Sequence, residues 1–126
     1  KDRRRGKIVN FSSVNAFIGV GSQSLYCACK AGIDLMTRAM ARELAPYDVN
    51  INSIAPGATK TPMNEALRTL PEHRGVLNAF VDNTPSNTAF SDPAEIARMV
   101  VFLASDDGRP MHGSNVLMDE GLAAGI

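Results

Sequence analysis

Apolar residues in this chain fall into two kinds of segment. Three are short, rich in β-branched residues and bounded by glycine, proline or polar residues: "KIVNFSS" (Lys7 to Ser13), "VNINSIA" (Val49 to Ala55) and "SNVLMD" (Ser114 to Asp119). Such runs predict buried strands. Two others are long and step by three and four residues. From about Ser24 to Ala45, Leu25, Ala28, Gly32, Leu35, Met36, Ala39 and Met40 recur in this way. They predict a helix with that stripe as its apolar face, and with Asp34 and Arg38 paired one turn apart on the outer face. In "SDPAEIARMVVFLAS", Asp92 can cap the helix and Pro93 fits its first turn. Glu95 completes a capping box, and Ile96, Val100 and Leu103 form the stripe.

Between Ala58 and Ser91 the pattern is irregular and is punctuated by Pro62, Pro71 and Pro85. One or two short helices fit there, in a segment long enough to be a functional loop or lid. The order is β-α-β-loop-α-β. It predicts an α/β fold with three parallel strands joined by crossover helices. Ligands of such sheets bind beyond the carboxyl ends of the strands. The site is therefore expected at three loops: after Ser13, after Pro56-Gly57 and after Asp119.

Composition narrows the function classes. The 126 residues carry thirteen basic and thirteen acidic side chains, and 44% are hydrophobic. Balanced charge gives no field for nucleic acid or an anionic membrane, and the basic "KDRRRGK" opening reads as a solvated helix end or loop. No apolar run approaches the ~20 residues of a membrane span, and the charged opening is not a secretory signal core. Cys27 and Cys29 would lie about 200° apart on a helix and could not bridge. A cytoplasmic, reducing setting follows as the expectation. His73 and His112 stand alone, so no metal site is expected.

Tyr26 and Lys30, four residues apart, share one helix face. An ammonium beside a phenol favours the phenolate, which suits the tyrosine to general acid–base work. A partly buried tyrosine beside a surface lysine is the plainer alternative. Ser13, at the end of the preceding strand, could hold a substrate oxygen for that tyrosine or could serve only as a polar strand cap.

Taken with their order, these stretches resemble the C-terminal half of a short-chain dehydrogenase/reductase. The resemblance rests on "GKIVNFSS", Tyr26-x-x-x-Lys30 with Ser13 thirteen residues earlier, "VNINSIAPGATKTPM", "DPAEIARMVVFLAS" and "GSNVLMDEG". It implies a doubly wound, Rossmann-like parallel sheet, of which residues 1–126 form the catalytic half. It also implies an NAD- or NADP-dependent interconversion of a secondary alcohol and a ketone. Ser13 would polarise the substrate oxygen, Tyr26 would exchange the proton, and Lys30 would bind the nicotinamide ribose and lower the tyrosine pKa. Pro56, Gly57, Thr59 and Thr61 would meet the nicotinamide carboxamide and adjacent groups. Asn15 and Met63 would join Ser13 at the substrate. A small-molecule substrate and a homodimer or homotetramer are implied, with no nucleic-acid or membrane partner.

The chain departs from that family in several ways. Members are about twice as long and begin with a glycine-rich dinucleotide turn. "GVGSQS" (Gly19 to Ser24) lacks its third glycine and its strand-to-helix setting. The expectation is therefore a dinucleotide-binding half missing from this sequence; the alternative is a truncated, non-catalytic interaction module. Cys29 stands where serine or threonine is common, and Glu120 where glycine is common.

Overall fold

The protein is described by a computed structural model that covers residues 5–124, so most of the basic "KDRRRGK" opening lies outside the described residues. Three strands form one sheet in the order β1 (Gly6–Phe11), β2 (Val49–Pro56), β3 (Asn115–Met118). Both pairings are parallel: Gly6 lies opposite Val49 and Phe11 opposite Ile54, while Ser53 lies opposite Asn115. Helix α1 (Ser24–Leu44) connects β1 to β2. Two short helices, α2 (Glu65–Thr69) and α3 (Arg74–Asp82), occupy the segment after β2, and α4 (Pro93–Ala104) leads back to β3. The capping box at Asp92 and Glu95 is formed: the Asp92 N–H donates to Glu95 Oε2 at 2.7 Å. The α/β class, the five main elements and the parallel sheet agree with the pattern of the sequence.

The two faces of the sheet are chemically different. On the α4 side, Ile54, Ile96 and Leu103 make the buried core, with Val9, Val100 and Val116 packed around it. Side chains alternate along a strand, so the residues next to Val9 and Ile54 face α1. There fully buried Ile51 and Ala55 are joined by polar contacts. Asn10 Nδ2 donates to Thr37 Oγ1 at 2.9 Å, and Thr37 Oγ1 donates to the Ile33 carbonyl at 2.8 Å. The Ser53 hydroxyl donates to Asp34 Oδ1 at 3.0 Å in a buried pair.

This seam corrects the expectation for α1. Asp34 is buried and bonded to β2 rather than paired with Arg38 on the outer face. Thr37 and Ala41 share the buried side, whereas Leu25, Leu35 and Met36 are exposed, Leu25 to 82%. The apolar stripe is present but points away from the sheet. Periodicity shows that a helix has an apolar face without saying what covers it. Here the sheet takes the opposite face, because Asn10 and Ser53 offer hydrogen-bonding groups that only a polar partner satisfies.

The central strand also buries Asn52. Its Nδ2 donates to the Met111 carbonyl at 2.7 Å, and its Oδ1 accepts the Ser114 N–H at 2.9 Å. One side chain thereby holds the approach to β3. His112 adds a second tie. Its Nδ1 accepts the Ile51 N–H at 3.3 Å, which leaves the proton on Nε2 to be donated to the Ala41 carbonyl at 2.6 Å.

Candidate active site

The end of β1 and the start of α1 are locked together from both directions. The Ser12 hydroxyl donates to the Lys30 carbonyl at 3.1 Å, and Lys30 Nζ donates to the Phe11 carbonyl at 3.0 Å. Tyr26 lies one turn before Lys30, whose Nζ sits 5.6 Å from the centroid of the phenol ring. The Tyr26 side chain is 46% exposed, so the ring is open to a ligand while its neighbour is anchored. An exposed lysine would lose side-chain entropy in taking one position; the Phe11 carbonyl holds it there. Ser12 thus supports the site through the backbone of Lys30.

Ser13 is buried and caps the short 3₁₀ turn Val14–Ala16, its Oγ accepting the Asn15 N–H at 3.2 Å. It thus caps a turn two residues beyond the strand rather than the strand itself, and the hydroxyl hydrogen of that capping oxygen remains to donate. Asn15 uses its side chain to reach Gln23 Oε1 at 2.6 Å, tying the loop after β1 to the N-terminus of α1. Cys27 Sγ faces the Ile18 carbonyl at 3.8 Å, and Cys29 is exposed; both are free thiols.

The second loop rises from β2 at the same edge of the sheet. The Gly57 N–H donates to the Met118 carbonyl at 2.9 Å. A Cβ on Gly57 would lie 2.8 Å from Asp119 Cα, so the two backbone segments approach each other as only glycine permits. Thr59 forms a parallel bridge with Ser91, and its carbonyl accepts Asn64 Nδ2 at 2.8 Å. Thr61 caps the turn Pro62–Asn64, its N–H donating to Asn64 Oδ1 at 3.2 Å. Met63 is 96% exposed. Phe80, half-buried, packs on Phe90 with ring centroids 5.2 Å apart.

Ser13, Tyr26, Lys30 and the Pro56–Thr61 loop thus gather at the carboxyl ends of adjacent strands, where a ligand of this sheet type binds. Half-buried hydroxyls and backbone groups beside an anchored cation suit the ribose and carboxamide end of a nicotinamide dinucleotide. Among the described residues, none forms a glycine-rich strand-to-helix turn for its pyrophosphate. A cavity of about 620 Å³ opens at the opposite ends of the strands, lined by Arg5, Asp48, Asp106 and Arg109 among others. Its charges have both signs, and Arg5 is paired with Asp106 at 3.1 Å. Among the described residues, no group of three His, Cys, Asp or Glu side chains is placed to hold a metal ion, and no helix is long and apolar enough to cross a membrane.

A parallel sheet covered on both faces by crossover helices, with polar groups gathered at its carboxyl ends, defines a piece of a doubly wound, Rossmann-like α/β domain. The chain belongs to the short-chain dehydrogenase/reductase family. A family model described as enoyl-(acyl carrier protein) reductase matches residues 1–123. Levodione reductase of Leifsonia aquatica is 39% identical over 127 residues, covering 98% of this chain and 47% of that protein. Cyclopentanol dehydrogenase of Comamonas testosteroni is 34% identical over 120 residues, covering 95% and 46%. Among solved structures, a 4-hydroxyisoleucine dehydrogenase complexed with NADH superposes with a TM-score of 0.89 at 28% identity, covering 99% of this chain and 50% of that one. The chain therefore spans about half the length of the curated relatives it matches.

Proposed function

We propose that this chain supplies the proton-transfer end of an NAD- or NADP-dependent oxidoreductase that interconverts a secondary alcohol and a ketone. In this proposal residues 1–126 are the catalytic half of a single Rossmann-like domain. The observation that carries it is the anchored pair: Lys30 Nζ on the Phe11 carbonyl at 3.0 Å and 5.6 Å from the Tyr26 ring, with Ser13 two residues beyond Phe11.

A nicotinamide dinucleotide held there would supply the hydride chemistry at the alcohol or carbonyl carbon. Tyr26 moves the other hydrogen as a proton between its phenolic oxygen and the substrate oxygen. Lys30 presents a fixed positive charge against which the phenolate is stabilised, and its remaining N–H groups are donors for the ribose hydroxyls. The Ser13 hydroxyl donates to the substrate oxygen and orients it. Pro56, Gly57, Thr59 and Thr61 form the wall for the carboxamide end of the nicotinamide, while Asn15 and Met63 border the substrate. Relatives named for cyclopentanol and levodione favour a small alicyclic substrate. The exposed Leu25, Leu35 and Met36 on α1 favour burial in a homodimer or homotetramer, because an apolar helix face left in water is an interaction surface.

The test is Tyr26→Phe in the full-length protein that carries this chain. Turnover is expected to fall by roughly 10²-fold or more, the scale of a lost general acid–base, while fluorescence titration shows nucleotide binding retained. Turnover that survives the substitution would overturn the assignment. The alternative reading is a non-catalytic module that partners another subunit. Intact mass of the natural protein distinguishes the two. A mass about twice that of this chain agrees with the enzyme; a mass equal to it agrees with the module.

A further inference from the structure

Glu120 stands at the loop after β3 with φ of 56°, a left-handed conformation that disfavours a side chain. Nothing in the proton-transfer chemistry requires it. Its carboxylate, however, is engaged: Oε1 accepts the Ser91 hydroxyl at 2.9 Å. Ser91 is buried, and its backbone grips both sides of Thr59. The Ser91 N–H donates to the Ala58 carbonyl at 3.0 Å, and the Lys60 N–H donates to the Ser91 carbonyl at 3.0 Å. On the other side of Thr59, Gly57 is held to the Met118 carbonyl and packs on Asp119. The loop Gly57–Lys60 is thereby clamped at two points to the same turn, once through Asp119 and once through Glu120.

We infer that Glu120, acting through Ser91, is a positioning residue that holds the Thr59 loop in its nicotinamide-binding geometry. The inference rests on the function proposed above. Glu120 touches neither substrate nor cofactor in this role; it limits the freedom of a loop that must otherwise be ordered on binding. Ordering a loop before the ligand arrives improves affinity by removing that entropy loss. The left-handed strain at Glu120 is then a stability loss retained for the sake of binding.

The experiment compares the wild type with Glu120→Gly, Glu120→Gln and Ser91→Ala in the full-length protein. Dissociation constants for NAD(H) and NADP(H) come from fluorescence titration, and melting temperatures from the ligand-free protein. Glu120→Gly removes both the strain and the acceptor. It is expected to melt no lower than the wild type yet to bind the nucleotide roughly tenfold more weakly, the scale of one hydrogen bond to a carboxylate. Ser91→Ala should weaken binding to a similar degree, and the double variant no further. Glu120→Gln keeps an acceptor oxygen and should restore affinity. A merely structural role would move stability and affinity in the same direction. Unchanged affinity in Glu120→Gly and Ser91→Ala, beside a wild type that binds, overturns the inference alone. A wild type that binds neither nucleotide overturns the proposed function as well.

Discussion

The buried pair between Ser53 and Asp34 offers a direct measure of how α1 sits on the sheet. Both residues are buried, Ser53 at 0% and Asp34 at 7% exposure, and the hydroxyl donates to Oδ1 over 3.0 Å. Ser53→Ala leaves the carboxylate without that donor. A hydrogen bond to a charged group contributes about 1.5–3 kcal/mol, so a loss of about 2 kcal/mol is expected. Unfolding entropy near 2.1 cal/mol/K per residue converts that loss to a melting temperature about 8 °C lower if this chain unfolds alone, and about 4 °C lower in a domain twice its length. Asp34→Ala strands the Ser53 hydroxyl and should lose a similar amount, whereas Asp34→Asn retains an acceptor and should lose less. The double variant Ser53→Ala with Asp34→Ala should be more stable than the two losses summed, by at least about 0.5 kcal/mol of coupling. Urea denaturation followed by circular dichroism reads all four, with the slope m unchanged if only the native state is affected. Simple additivity, or a Ser53→Ala loss under about 0.5 kcal/mol, would refute the reasoning. Asp34 would then face solvent, and Arg38→Ala would be the substitution that matters.

Two further outcomes follow from single contacts. Gly57→Ala places a Cβ 2.8 Å from Asp119 Cα, backbone against backbone, and should destabilise by about 1–3 kcal/mol in the same denaturation assay. His112→Phe removes the acceptor for the buried Ile51 N–H and the donor for the Ala41 carbonyl; a loss of about 1–3 kcal/mol is expected. It should be accompanied by faster hydrogen exchange at the Ile51 amide.

Much of the proposed site is legible in the chain because its members are tied to local rules. Tyr26 and Lys30 meet through helix geometry, and Ser13 marks a strand end. The exchange that fixes Lys30, through the Ser12 hydroxyl and the Phe11 carbonyl, is not legible: it joins residues eighteen and nineteen apart through backbone oxygens that any residue would supply. Glu120 is visible in sequence only as an oddity at a turn. Its partner Ser91 lies 29 residues away, and the bond between them exists only because β3 and the Thr59 loop reach the same edge of the sheet.

The sequence by itself determined the elements and their order. Strand length, helical period, the Asp92–Glu95 cap and the Pro56-Gly57 stop are short-range signals, each readable within a few residues. Only the tertiary structure decided which face of α1 is buried. Seven apolar positions at helical spacing point to one side, yet Asp34 and Thr37 on the other side carry the contact. A buried polar seam is stable only where both partners are present at hydrogen-bonding distance, and the partners Asn10 and Ser53 come from two different strands. A one-dimensional pattern records that α1 has an apolar face; the sheet's own polar groups decide that this face is turned outward.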